Sequence, residues 1–236
     1  KGRLVGTLGD AAAFSFDAEK TMGADQGGCL VTNNEKIHER ARFMGHNRAS
    51  EMAPHFGRIH PDIGYSYRMP QCTAAVCLAQ LEIVRDQVVQ RDKMVRLLYK
   101  LLAEIPGITP QPIPEYQNVF SCWMIGLTFD PKAFKCSTEE FGARIADAGI
   151  PGAGMAEYYL LPESLRCLHE KVKSSAFTYS TPPASRTYFY GAETCPNAQA
   201  ILKNFIRWST FCEKYQPEHC ELAANIVRKV ANENRA

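Results

Sequence analysis

The chain has 236 residues, of which 45% are hydrophobic and 22% charged, and its formal net charge is +2. This composition is ordinary for a globular protein of one or two domains with a sizeable core. The near-neutral charge gives no reason to expect nucleic acid or an acidic membrane as a partner, and no apolar run approaches the roughly 18 residues of a membrane-spanning helix.

The two apolar runs nearest the start of the chain, residues 11–16 and 28–32, are predicted to be buried strands because each is bounded by Gly, Asp or Asn. Lys20 lies between them, five positions after Ser15. A lysine at the mouth of two strands can lose its hydration and become a nucleophilic amine, and a nearby hydroxyl suits a phosphate. These are the two groups that a protein supplies to hold pyridoxal phosphate. The alternative is a solvated surface lysine.

The middle of the chain is predicted to be helical around one long loop. Residues 35–43 form a short amphipathic pattern, with Asn33 or Asn34 suitable as its N-cap. Residues 45–64 have no periodicity and indicate a loop. From about Pro70 to Ile105, apolar residues recur every third or fourth position. Such a helix spans about 50 Å, which is long enough to leave one domain and enter another.

The last part of the chain shows alternating strand and helix signals. Residues 119–129 are predicted to be a strand, and Ser137 to Glu140 form a capping box that begins a helix ending at Gly149. Residues 198–205 and 217–232 are predicted to be the two terminal helices.

The nine cysteines give no sign of a metal site. Their number is odd, they are scattered along the chain, and none forms a Cys-x-x-Cys pair. Zinc-type sites need paired ligands at tight spacing, so no metal is predicted. This set of thiols is typical of a protein of the reducing cytoplasm.

Two ordered motifs carry a resemblance to a known family. The first spans residues 9–33 and contains Phe-Ser-Phe, the lysine and the Gly-Gly turn; the second is Gly-Tyr-Ser-Tyr-Arg-Met at 64–69, followed by the apolar segment 74–82. In this order and spacing they resemble the DegT/DnrJ/EryC1/StrS aminotransferases. Those are pyridoxal phosphate enzymes of fold type I that aminate keto-sugars.

The resemblance implies an α/β fold with two domains. Residues 1–108 would form the C-terminal part of the cofactor-binding large domain, with a mostly parallel sheet and the long linking helix. Residues 109–236 would form a small α+β domain. The family's upstream cofactor-binding segment has no counterpart in this sequence, so we expect the chain to be the C-terminal portion of a longer enzyme. The family also builds its active sites at homodimer interfaces.

By the same resemblance, Lys20 would hold pyridoxal phosphate as a Schiff base and carry protons as a general acid and base. Ser15 would bind the cofactor phosphate. Ser66 stands where many relatives have an asparagine that reaches the partner subunit's phosphate, and a serine is shorter with one donor.

The substrate side is less sharply defined. Arg48 or Arg68 could bind the carboxylate of the amino donor, because a guanidinium binds a carboxylate through two hydrogen bonds. Tyr158 could contact a sugar. Solvated loop residues and a packed core tyrosine are the alternatives. Asp17 and Gln26 depart from the family's commoner histidine and glutamate.

The leading hypothesis is therefore a keto-sugar aminotransferase that uses glutamate or glutamine as amino donor. A dehydratase branch of the same fold replaces the lysine with histidine, and the presence of Lys20 argues against it. A non-catalytic or regulatory dimer-forming relative is the third possibility.

Overall fold

The structure is a computed structural model that describes residues 2–46, 51–53, 57–59, 63–156, 160–173 and 190–236. Its helices are α1 Glu35–His46, α2 Gln71–Ala103, α3 Thr138–Asp147, α4 Leu161–Ser164, α5 Arg166–Lys173, α6 Pro196–Leu202 and α7 Pro217–Glu233. Its strands are β1 Ala11–Ser15, β2 Gly28–Thr32, β3 Glu51–Ala53, β4 Gly57–Ile59, β5 Ile108–Pro110, β6 Ile125–Phe129, β7 Ala153–Met155 and β8 Phe205–Trp208.

These strands form two ribbons and one sheet. β1 pairs with β2 so that Ala11 faces Thr32 and Ser15 faces Gly28. β3 pairs with β4, and the four-stranded sheet has the order β5-β6-β8-β7. Every pairing between described strands is antiparallel. The mostly parallel sheet expected of the large domain stays a prediction.

The chain divides into two compact units. We call Lys1–Gln90 with Ile113–Ser121 the N-terminal unit, and Arg91–Pro112 with Cys122–Ala236 the C-terminal unit. The division lies inside α2, so this single helix contributes residues to both units. The predicted domain boundary after residue 108 stays a prediction.

The C-terminal unit has a closed core. In α7 the buried residues recur at three- and four-residue steps, which places one apolar stripe along the helix. Phe134 and Phe141 pack against Phe129 with ring centroids 4.8 and 4.9 Å away. The predicted capping box is confirmed, because Glu140 N–H donates to Ser137 Oγ and Ser137 N–H donates to Glu140.

The N-terminal unit buries much less of its apolar surface. Its buried hydrophobic residues among those described are Ala24, Phe43 and Cys77. Phe14 in β1 is 42% exposed and Leu30 in β2 is 48% exposed, so the prediction that these strands are buried was wrong. The reason is that a two-stranded ribbon has no second layer of its own to cover it.

For the other elements, the sequence predicted the type of secondary structure better than its first and last residues. The long helix is confirmed at Gln71–Ala103, and Asn34 caps α1 by accepting a hydrogen bond from Lys36 N–H at 3.0 Å. The loop predicted at 45–64 contains β3 and β4. The helix predicted at 198–205 ends at Leu202, because Phe205–Trp208 pairs with β6 as a strand.

Candidate active site

Lys20 lies in the loop of residues 16–27 that joins β1 to β2. The loop is closed on itself by backbone hydrogen bonds. Phe16 N–H donates to the Gly27 carbonyl at 2.9 Å, Ala24 N–H donates to the Phe16 carbonyl at 2.9 Å, and Ala18 N–H donates to the Asp25 carbonyl at 3.0 Å. Its conformation therefore depends on local hydrogen bonds.

The backbone requires glycine at both Gly27, where the loop ends, and Gly28, where β2 begins. Gly27 has a φ of 152°, which side chains rarely adopt. A Cβ on Gly28 would lie 2.6 Å from the Phe14 carbonyl oxygen on the paired strand. The two glycines let β2 begin directly opposite the end of β1, where Ser15 lies.

Ser15 presents its hydroxyl at the start of the loop. The side chain is exposed, and its Oγ accepts a hydrogen bond from Asp17 N–H at 3.2 Å. A serine hydroxyl has one hydrogen to donate as well as two acceptor positions. The hydroxyl hydrogen is thus suited to a phosphate oxygen, as the predicted role requires.

Lys20 follows a tight turn that begins at Asp17. Lys20 N–H donates to the Asp17 carbonyl at 3.0 Å, and Glu19 N–H donates to Asp17 Oδ1 at 3.1 Å. The lysine is half-buried. Asp17 therefore joins the residue predicted to bind phosphate to the residue predicted to form the covalent bond.

The second motif is an extended segment held against the end of α1. Tyr65 N–H donates to the Met44 carbonyl at 2.7 Å, and Tyr67 N–H donates to the Gly45 carbonyl at 2.6 Å. The rings of Tyr65 and Tyr67 stack with centroids 5.4 Å apart. Since alternate residues of an extended chain lie on one side, this stack fixes the orientation of the segment around Ser66.

Ser66 and Arg68 are hydrogen-bonded to each other, and their segment lies beside the first motif, residues 9–33. Arg68 Nε donates to Ser66 Oγ at 3.2 Å, and both side chains are exposed. A Cβ on Gly27 would lie 3.3 Å from Met69 Cε and 3.6 Å from Thr73 Cγ2. The end of the Lys20 loop therefore packs beside the end of the second motif.

Two predicted site residues lie outside the described residues, namely Arg48 and Tyr158. Their roles stay predictions. Sequence reasoning missed the hydrogen bonds by which Asp17 links Ser15 to Lys20, because in the sequence Asp17 shows only as a departure from the family's histidine. A usable signal was present, since aspartate side chains commonly accept a hydrogen bond from the backbone two residues later.

The described residues contain no group of three or more His, Cys, Asp or Glu side chains arranged to hold a metal ion. None of the described helices combines the length and apolar character that crossing a membrane would require.

The residues of the Lys20 loop fit pyridoxal phosphate by their chemistry. A primary amine is the group that bonds covalently to its aldehyde, and an exposed hydroxyl is a donor for its phosphate. The amine belongs to the Lys20 loop, and the hydroxyl belongs to Ser15 at the end of β1, which is hydrogen-bonded to that loop through Asp17 N–H.

Comparison with known proteins identifies the family. The profile of the DegT/DnrJ/EryC1/StrS aminotransferase family matches residues 1–206, so the chain belongs to that family. GDP-perosamine synthase of Escherichia coli O157:H7 is 39% identical over 128 residues, which are 54% of this chain and 33% of that protein. UDP-4-amino-4-deoxy-L-arabinose–oxoglutarate aminotransferase of Shewanella sediminis is 28% identical over 165 residues, 66% of this chain and 41% of that protein.

A solved structure extends the similarity along nearly the whole chain. The crystal structure of 3-amino-5-hydroxybenzoic acid (AHBA) synthase superposes with a TM-score of 0.73 at 23% identity, covering 98% of this chain and 57% of that one. Together with the family match, this confirms the predicted α/β fold type I. The chain spans about a third to two fifths of the length of the two curated relatives it matches here.

Proposed function

We propose that the protein is a pyridoxal phosphate-dependent aminotransferase that transfers an amino group from glutamate or glutamine to a keto-sugar. The observation that supports it best is the Lys20 loop, in which the lysine and the Ser15 hydroxyl are joined through hydrogen bonds to Asp17. When bound, the cofactor supplies an electron sink for the bonds at the donor α-carbon.

In this proposal Lys20 and Ser15 have distinct tasks. Lys20 would hold the cofactor covalently through its aldehyde group, and the free Lys20 amine would act as the general acid and base that moves the proton of the donor α-carbon. The Ser15 hydroxyl would donate a hydrogen bond to the cofactor phosphate and so orient the ring.

Ser66 and Arg68 form the second polar pair of the proposed site. Arg68 Nε is bonded to Ser66 Oγ, so the charged guanidinium and the hydroxyl are held together on the exposed side of the segment. This pair suits an anionic oxygen, either the phosphate of the partner subunit's cofactor or the donor carboxylate. Arg48 and Tyr158 remain proposed contacts for donor and sugar.

The names of the relatives support a sugar substrate and a donor of the glutamate type. One relative is named for a UDP-linked amino sugar and for oxoglutarate, the keto acid that glutamate becomes when it loses its amine. Another is named for a GDP-linked sugar. In the balanced reaction, the sugar carbonyl oxygen is replaced by an amine while the donor amine is replaced by a carbonyl oxygen.

We also propose a homodimer in the cytoplasm. The exposed apolar side chains of the N-terminal unit, such as Leu78 and Leu81 in α2, support a covered surface in the assembled enzyme. All nine cysteines are free thiols, which is typical of a reducing compartment.

The proposal is tested by locating the cofactor on the protein. Full-length protein incubated with pyridoxal phosphate and reduced with borohydride should carry a pyridoxyl group on Lys20, found by peptide mass spectrometry. Lys20→Ala should lose the adduct and turnover, whereas the control Lys36→Ala, at an exposed lysine of α1, should keep both. An adduct on another lysine would contradict the assignment. A protein that never binds the added cofactor would support the non-catalytic alternative.

A further inference from the structure

We infer that Asp17 is a positioning residue that fixes the Ser15 hydroxyl relative to Lys20, and thereby sets how tightly the cofactor is held at its phosphate and its aldehyde together. This inference rests on the proposed function. It assigns Asp17 no contact with substrate or cofactor.

Asp17 makes three hydrogen bonds, one to Ser15 at the end of β1 and two to residues of the loop. Its N–H donates to Ser15 Oγ at 3.2 Å. Its side-chain Oδ1 accepts from Glu19 N–H at 3.1 Å. Its carbonyl accepts from Lys20 N–H at 3.0 Å. Asp17 therefore connects the Ser15 hydroxyl to the backbone of Lys20 through hydrogen bonds.

Only one of these bonds depends on the type of side chain. The N–H and the carbonyl of residue 17 exist whatever the residue is, but the bond to Glu19 N–H requires an oxygen at the Oδ1 position. This bond orients the peptide between positions 18 and 19, which is separated from Lys20 by the single residue Glu19. Substitution at position 17 therefore tests the turn while leaving Ser15 and Lys20 chemically unchanged.

The bond to Asp17 N–H also prepares the Ser15 hydroxyl. With one lone pair of Oγ occupied by this N–H, the hydroxyl hydrogen remains available to donate to an incoming acceptor. A ligand held at two points gains from such preorganisation only when both points are correctly spaced. Pyridoxal, which lacks the phosphate, can use only the lysine.

The test measures binding of pyridoxal phosphate and of pyridoxal to the full-length protein by absorbance titration. Asp17→Ala should raise the apparent Kd for pyridoxal phosphate about fivefold, the effect of losing one ordinary hydrogen bond. The effect on pyridoxal should be clearly smaller. Asp17→Asn keeps an oxygen at Oδ1 and should restore binding to within about twofold of wild type, a difference well below one hydrogen bond.

The decisive measurement is the double variant. If Asp17 acts by placing the Ser15 hydroxyl, Asp17→Ala should add little in a Ser15→Ala background. Additive effects, or equal effects on pyridoxal and pyridoxal phosphate, would overturn the inference. Should Asp17→Ala fail to fold, Asp17→Ser retains a weaker turn hydrogen bond and should give an intermediate Kd.

A matched control exists in the C-terminal unit. Asp130 Oδ1 accepts a hydrogen bond from Lys132 N–H at 3.0 Å in the same two-residue pattern. Asp130→Ala should leave both dissociation constants unchanged. If wild type forms no adduct at Lys20, the proposed function fails and this inference falls with it. If wild type forms the adduct but Asp17→Ala binds as wild type does, only the inference fails.

Discussion

The two compact units differ in how their strands are covered. In the C-terminal unit, Leu127 of β6 is fully buried. In the N-terminal unit, Leu30 of β2 is 48% exposed, although both are leucines in short antiparallel strands. The C-terminal unit carries its own core, whereas the N-terminal unit leaves the β1–β2 ribbon uncovered within the described residues.

The proposed site lies in the unit with the smaller core. Ser15 ends β1, and Lys20 lies on the loop that follows, whose backbone is held by its own hydrogen bonds. The C-terminal unit is stabilised by the packing of its buried side chains. Substitutions of polar residues on its surface should therefore change its stability little. In the loop, single polar groups determine the geometry, so small substitutions there should change binding before they change stability.

The largest expected effect contrasts two leucines. Leu127→Ala should lower the free energy of unfolding by about 3 kcal/mol, because it leaves a cavity in a closed core. Leu30→Ala should cost about 1 kcal/mol or less, since half of the side chain already contacts solvent. Urea unfolding of the full-length protein, followed by circular dichroism, checks both. Equal losses would show that β2 is covered in the assembled protein and would remove the contrast.

The next effect contrasts two glycines at which substitution by alanine would place a Cβ too close to backbone atoms. At Gly142 a Cβ would lie 2.8 Å from Gly154 Cα, between α3 and β7. Gly142→Ala should therefore destabilise the C-terminal unit by about 2 kcal/mol through overpacking. At Gly23 a Cβ would lie 2.7 Å from the Ala18 carbonyl oxygen, inside the Lys20 loop.

Gly23→Ala should distort that loop and weaken cofactor binding while leaving the urea midpoint nearly unchanged. Gly154→Ala is the control, because a Cβ there meets nothing within 4 Å. If Gly23→Ala lowered the midpoint as much as Gly142→Ala, the loop would be part of the unit's stability, and the distinction between the two units would be wrong.

Sequence reasoning succeeded where the signal is local. Asn34 as N-cap and the Ser137–Glu140 capping box were predictable because each is a contact between near neighbours. The long periodicity of α2 also fixed its type and approximate ends. In the candidate site, the position of Lys20 between two strands was predictable for the same reason.

The predictions that failed concern features that depend on residues distant in the sequence. Phe205–Trp208 resembles the continuation of a helix until its pairing with Ile125–Thr128 is known. Burial of β1 and β2 could not be inferred from their apolar composition, because burial requires a covering layer. The bonds of Asp17 were local and could have been predicted, but the pairing of Ser66 with Arg68 required the conformation of the segment.

The smallest expected effect is a pH dependence that distinguishes the helix caps of the two units. Hydrogen bonds from the Ser137 backbone and side chain hold the pKa of Glu140 below its ordinary value of 4.5. Because the folded-state pKa is lowered, the stabilisation by this cap is fully present above about pH 4.5 and is lost as the pH falls through the folded-state pKa. The cap of α1 uses Asn34, which does not titrate.

Amide hydrogen exchange between pH 6 and pH 3, corrected for intrinsic rates, should therefore show α3 losing protection at its first turn while the first turn of α1 keeps it. Glu140→Gln retains an acceptor oxygen without the titrating charge. The difference in protection between wild type and Glu140→Gln should shrink toward zero as the pH falls, since a protonated glutamate and a glutamine are then both neutral. A difference that stays constant across this range would show that the charge of Glu140 contributes nothing to the cap, and that the two helices are capped with equal sensitivity to acid.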